Sequence, residues 1–380
     1  MKRRKVKNMK ELGIYIHIPF CKQKCTYCDF ISYSDKNNLV EKYMRELKQE
    51  IKNNADNVNK YKISTIYIGG GTPSYIESKH IVEILETIKQ KYNIDQNVEV
   101  TIEVNPGTVT KEKLQDYIKA GINRISIGLQ TTNNQLLQVI GRIHTYEEFL
   151  NTYNLARDVG FKNINVDLMI GLPKQTIEDV NESLEKIINL EPEHISVYSL
   201  IVEEGTPIAK KIEAGELELP SEEVERKEYW QVKETLESIG YKHYEISNFA
   251  KVGYESKHNM NCWNQKEYLG FGVAAHSYIN QKRFSNVEKI EEYLQKKEPI
   301  IHEIQDLENQ KKEYMLLGLR KIDGIKISSF KNKFGCNPIM EFKNELNKLV
   351  EEELIEIDLD ELKLTNKGID LANIVWEEFV

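Results

Sequence analysis

The sequence has no apolar run approaching the ~20 residues needed to span a bilayer, which excludes a chain that crosses a membrane as helices. It has no excess of positive charge. Fifty-two lysines and arginines face 60 aspartates and glutamates, a formal charge of -8, so no overall basic field is available for nucleic acid. It also lacks a disulfide framework: the five cysteines are odd in number and three crowd into one short loop, which fits a reducing compartment, the cytoplasm by default. No apolar segment follows the basic stretch at 1–10, so that stretch is not a secretory signal. It reads as a frayed, disordered basic tail, the alternative being a targeting or anionic-surface arm with peripheral membrane association, and Met9 is a plausible true start.

What the chain does have is Cys21-Lys22-Gln23-Lys24-Cys25-Thr26-Tyr27-Cys28. Three thiolates at this spacing can hold an iron–sulfur cluster while leaving one iron open to an outside ligand. The remaining cysteines, Cys262 and Cys336, lie far down the chain. A structural zinc site is the alternative, but it wants four closed ligands, and the sole nearby addition is His17.

Short β-branched runs at 13–18, 65–69, 98–104, 124–129, 163–169 and 194–200 alternate with helical periodicity at 39–51, 80–91, 111–120, 146–159 and 177–188. That alternation predicts an α/β fold with a parallel sheet, closed most simply as a partial (β/α)6 TIM-like barrel, although an open doubly wound sheet gives the same pattern. The unusual residues fall where such a barrel builds its site, after the strands: the cysteine loop, Gly69-Gly70-Gly71-Thr72-Pro73, Glu103 with Asn105 and Pro106, Gln130, and Asp167 followed by Gly171-Leu172-Pro173. The glycines leave room for a ligand against the backbone, with the loop amides and Thr72 as hydrogen-bond partners. The run lacks the Gly-Lys-Ser/Thr ending of a phosphate loop. Glu103, Gln130, Arg142 and Asp167 together suit a zwitterionic ligand with a ribose.

These motifs resemble the radical S-adenosylmethionine (SAM) superfamily. More narrowly, Tyr15-Ile16-His17-Ile18-Pro19-Phe20-Cys21, Glu103-Val104-Asn105-Pro106, Ser126-Ile127-Gly128-Leu129-Gln130 and Asp167-Leu168-Met169-Ile170-Gly171-Leu172-Pro173 resemble the oxygen-independent coproporphyrinogen III oxidases. The resemblance implies Cys21, Cys25 and Cys28 as ligands of a 4Fe-4S cluster. It implies Tyr15, Gly70, Gly71, Thr72, Glu103, Gln130, Arg142 and Asp167 around SAM, and an electron donor if SAM is cleaved. One departure narrows it further. Phe30 stands where the oxidases carry another cysteine, and the cluster motif begins too early for their N-terminal extension. Cys-x3-Cys-x2-Cys-x-Phe instead looks like the HemW family of haem chaperones.

His258-Asn259-Met260-Asn261-Cys262-Trp263 resembles that family's haem motif, with Cys262 in place of tyrosine, so His258 and Cys262 are the expected haem residues. His276 is a second candidate. The expected organisation is a tail at 1–10, a radical SAM barrel with the haem segment at 11–290, and a smaller, mainly helical, winged-helix-like domain at 300–380. That last part suggests DNA binding by shape but not by charge: residues 341 to 380 hold twelve acids against four lysines. Trp376 and Phe379 are expected as core or docking residues. The functional expectation is a haem chaperone passing haem to an acceptor apoprotein; the alternative is a radical SAM coproporphyrinogen oxidase or methyltransferase.

Overall fold

A computed structural model describes residues 9–380; most of the expected basic tail lies outside the described residues. The six expected strands are β1 (Lys10–Ile18), β2 (Tyr61–Gly70), β3 (Ile94–Val104), β4 (Arg124–Gln130), β5 (Ile164–Ile170) and β6 (His194–Ser199). β7 (Lys242–Glu245), β8 (Asn248–Ala250), β9 (Tyr268–Phe271), β10 (His276–Ile279), β11 (Lys282–Ser285) and β12 (Ile300–Ile304) follow. β13 (Ile325–Lys326), β14 (Ile355–Asp358) and β15 (Glu361–Leu364) complete the set.

The helices between the early strands form for readable reasons. Val40–Asn54 buries Tyr43, Met44, Leu47 and Ile51, one stripe at the helical period. Ile177–Ile188 opens with a capping box in which Thr176 and Asp179 satisfy each other's backbone N–H groups. β4 is buried at every position, as a parallel strand covered on both faces must be.

The chain divides into two compact units. One gathers the chain up to Gly128 with Glu147–Lys162 and Lys266–Glu303; the other gathers Leu129–Tyr146, Asn163–Gln265 and Ile304–Val380. In the first, β1 pairs parallel with β2, β2 with β3 and β3 with β4. On its other side β1 takes β9 as a second parallel partner, and β10 and β11 continue antiparallel from there. In the second unit β5 and β6 pair parallel, and β8 and then β7 add antiparallel. Its C-terminal part holds a small sheet ordered β13-β15-β14 and an aromatic core of Phe330, Phe342 and Phe379, with Phe342 and Phe379 edge to face at 5.4 Å. Among the described residues no helix is long and apolar enough to cross a membrane.

Candidate functional site

β1 delivers the chain at Pro19 into the cysteine loop, and backbone bonds close that loop at its base: Cys21 donates to Tyr33 O at 3.0 Å and Tyr33 to Pro19 O at 2.7 Å. Cys21 is buried, whereas Cys25 and Cys28 are half-buried. The sulfurs have donors aimed at them. Thr72 donates its hydroxyl to Cys21 Sγ at 3.5 Å, the Ser32 hydroxyl, which donates to Phe30 O at 3.3 Å, lies near enough to Cys21 to act against its rise, and the backbone of Phe30 bonds Cys28. Burial raises the Cys21 thiol, and burial with the neighbouring Cys25 pushes Cys28 up to about 11, so the protein alone favours the protonated form of these two sulfurs. Sulfurs crowded on one loop, with donors already directed at Cys21 and Cys28, suit a cationic cluster. Among the described residues no three His, Cys, Asp or Glu side chains come close enough to hold a single ion. A cubane asks for less convergence, because each thiolate binds a different iron.

His17, the one possible zinc partner, has both ring nitrogens engaged elsewhere. Nε2 donates to Ile31 O at 2.8 Å and Nδ1 accepts from the Tyr15 hydroxyl at 3.0 Å. Burial holds it down at about 4, so it is neutral and fastens the far end of the cysteine loop to β1. Burial and the Glu103 carboxylate push the Tyr15 phenol well up.

The glycine run does a different task from the one expected of it. The amide of Gly70 is taken by Glu103 Oε2 at 3.1 Å, that of Gly71 by Ile18 O and that of Thr72 by Phe20 O, both at 2.9 Å. These donors hold the protein together and are not open to a ligand. The missing side chains make room for other residues: a Cβ on Gly69 would meet Glu103 at 2.9 Å, on Gly70 His17 at 2.6 Å, and on Gly71 the Cys21 sulfur at 2.9 Å. Glu103 is further fixed by the Tyr67 hydroxyl at 2.9 Å, and Thr72 Oγ1 accepts from Asn105 at 2.9 Å. The first unit thus brings Tyr15, Gly70, Gly71, Thr72, Glu103 and the buried Cys21 into one hydrogen-bonded neighbourhood.

In the second unit, β4 ends at Gln130, buried and with φ 78°, a left-handed backbone that costs a non-glycine residue about 1–3 kcal/mol and collects at functional sites. Arg142 follows the helix Asn134–Val139, its amide bonded to Leu137 O at 2.8 Å. His144 beside it went unnoticed in the sequence. Burial and then the Arg142 charge hold it down at about 3, and its Nε2 donates to Leu129 O at 3.2 Å.

Asp167 ends a one-way chain of donors. Ser256 N–H donates to the Tyr244 hydroxyl at 3.2 Å, which donates to His194 Nε2 at 2.8 Å; His194 Nδ1–H donates to Asn165 Oδ1 at 2.6 Å, and Asn165 Nδ2 to Asp167 Oδ1 at 2.7 Å. Ser256 caps the helix Lys257–Trp263, which carries His258 and Cys262. His258 is buried, whereas Cys262 lines a pocket of about 950 Å³ together with Asn259 and Trp263. His276 sits on β10 in the first unit, its ring stacked on His302 at 5.4 Å, so His276 and His258 belong to different units.

The radical SAM superfamily model matches residues 15–187, and the HemN C-terminal domain model matches residues 305–371. The haem chaperone HemW of Lactococcus lactis is 36% identical over 374 residues, 98% of each chain. HemW of Bacillus subtilis is 38% identical across 96% of this chain and 98% of its own. Coproporphyrinogen III oxidase (HemN) from Escherichia coli superposes with a TM-score of 0.86 at 23% identity, covering 98% of this chain and 90% of that one, which establishes the α/β radical SAM fold. A likeness to chaperones that runs almost end to end decides the family: the chain belongs to the HemW family of the radical SAM superfamily.

Proposed function

We propose that this protein is a haem chaperone that binds haem and hands it to an acceptor apoprotein, carrying a 4Fe-4S cluster on Cys21, Cys25 and Cys28 and SAM beside it. The observation that carries this reading is Phe30. Coproporphyrinogen oxidases have a thiol at that position, whereas here the side chain is a phenyl ring 66% exposed to solvent. The cluster, when bound, supplies an iron open to SAM's amino and carboxylate groups. Thr72 and the Phe30 backbone orient the sulfurs, and Glu103 offers a fixed carboxylate. Gln130, Arg142 and Asp167 are carried as further SAM contacts, each to be replaced singly.

Two measurements on one anaerobically reconstituted preparation test the reading: a haemin titration and a coproporphyrinogen III turnover assay. The expected result is a Soret shift saturating near one haem per chain, as a single axial-ligand site implies, with no oxidised porphyrinogen. SAM-dependent turnover without haem binding would replace the chaperone by the oxidase. Replacing Cys25 by Ala should abolish the cluster's visible absorption and leave the apoprotein folded.

A further inference from the structure

The second unit's pocket of about 950 Å³ lies at the upper end of the range for small-molecule sites. Leu200, Ile369 and Ile374 supply apolar wall, and Trp263 and Trp376 supply ring faces. The Arg320 guanidinium lies against both indoles, 4.4 Å from the centre of Trp263 and 4.3 Å from that of Trp376.

Among the polar atoms of this lining without a hydrogen-bond partner are Arg320 Nε, Trp376 Nε1 and Asn248 Oδ1. Asn248 is only 2% exposed, which is an expensive place to leave an acceptor unfilled. The other cation, Arg226, is already occupied, holding Glu225 at 3.0 Å and Asp370 at 3.5 Å. Two of the four acids in the lining, Glu225 and Asp370, are therefore paired with it. Glu245 acts on Arg320 through space and uses its own carboxylate to receive Asn248 and the Ser247 amide. A half-buried guanidinium with an unused donor, set on aromatic faces, is built for a carboxylate attached to a flat ring system.

We propose that this pocket receives a planar carboxylate-bearing macrocycle, with its rings against Trp376 and a carboxylate on Arg320. This rests on the haem reading above and deepens it: the macrocycle is the porphyrin, Arg320 holds a propionate, and Cys262 in the same lining would offer its sulfur to the iron. Metal-free protoporphyrin IX and its dimethyl ester separate the carboxylate contact from iron ligation. Titrated into the full chain and followed by tryptophan quenching, the diacid should bind at least about tenfold more tightly than the ester, the worth of a charge-assisted hydrogen bond. Arg320→Gln should lower diacid affinity by a similar factor and leave ester affinity unchanged. Equal binding of diacid and ester to the unaltered chain overturns the proposal without any variant, and so does an Arg320→Gln protein that melts normally and binds the diacid as before. If haemin still binds in either case, the pocket assignment fails and the chaperone reading stands. If neither haemin nor porphyrin binds, both fall.

Discussion

At the scale of single residues, the first unit turns on contacts too close for a methyl group. Gly70 has φ +114° and would bring a Cβ to 2.6 Å from the His17 ring, which is itself pinned by Tyr15 and Ile31. Gly160 has a similar φ of +109° but open space around it. The pair separates backbone strain from steric collision. Gly160→Ala should cost only the strain, about 1 kcal/mol, while Gly70→Ala should cost about 3 kcal/mol or more, because His17 cannot move without releasing the cysteine loop. Thermal melts of the two variants check the order, and Gly70→Ala should also load less iron on reconstitution. Equal melting temperatures would mean that His17 yields freely. The sequence showed that glycines stand here, and it showed the thiols. It could not show that the glycines accommodate His17, Glu103 and Cys21, because nothing in spacing distinguishes a void left for a ligand from one filled by a neighbouring side chain.

At the scale of elements, the six βα repeats were legible because each strand is a β-branched run and each helix carries one buried stripe, periods that survive in the bare sequence. The stretch from about 200 to 300 was not. β7 to β11 are only three or four residues long, and β9 pairs parallel with β1 from the opposite part of the chain, a partnership no local pattern announces. The C-terminal part reads as winged-helix-like from its sequence, but β13 and the helix Ile327–Phe334 have no such signal. Asn165, His194 and Tyr244 look like ordinary strand residues, yet they form the chain of donors that ends on Asp167 and begins at the cap of the helix Lys257–Trp263. Tyr244→Phe removes one link from each side of that chain. It leaves His194 Nε2 and the Ser256 amide without partners at sites that are 0% exposed, about 1–3 kcal/mol for each group. The expected outcome is local: hydrogen exchange should quicken across Lys257–Trp263 while the amides of β1 to β3 keep their protection. Uniform acceleration across the chain would show that Tyr244 supports the global fold instead of that helix.

At the scale of the whole molecule, buried titratable groups of both signs set how stability depends on pH. His17 and His243 are held down at about 4 and His144 at about 3, each chiefly by burial. Below pH 6.5 the unfolded chain takes up these protons before the folded one does, so each histidine removes stability as pH falls, about 1.4 kcal/mol per pH unit. Burial works in the other direction on carboxyls. Glu50 and Glu245 are raised, and Glu228, 0% exposed with Oε1 unpartnered, is pushed up to about 7. A raised carboxyl binds its proton more tightly when folded, so its contribution is complete below pH 4.5 and is lost as pH rises through the folded value. Between about pH 4.5 and 6.5 the two sets oppose each other, so stability should rise with pH less steeply than the three histidines alone would make it. Below that window the histidines act alone and stability should fall steeply. Above it Glu228 is the group with a folded value near neutrality, and the cost of ionising it has a ceiling of ~3 kcal/mol, less whatever screening removes. Glu228→Gln keeps an oxygen for the Gly171 amide, which Glu228 receives at 2.9 Å, and places an amide donor toward the Glu225 and Asp179 charges. The cluster-free variant should therefore match the unaltered chain in melts at pH 5 and exceed it at pH 8; a gap of the same size at both values would mean that Glu228 is ionised throughout and its burial offset by partners.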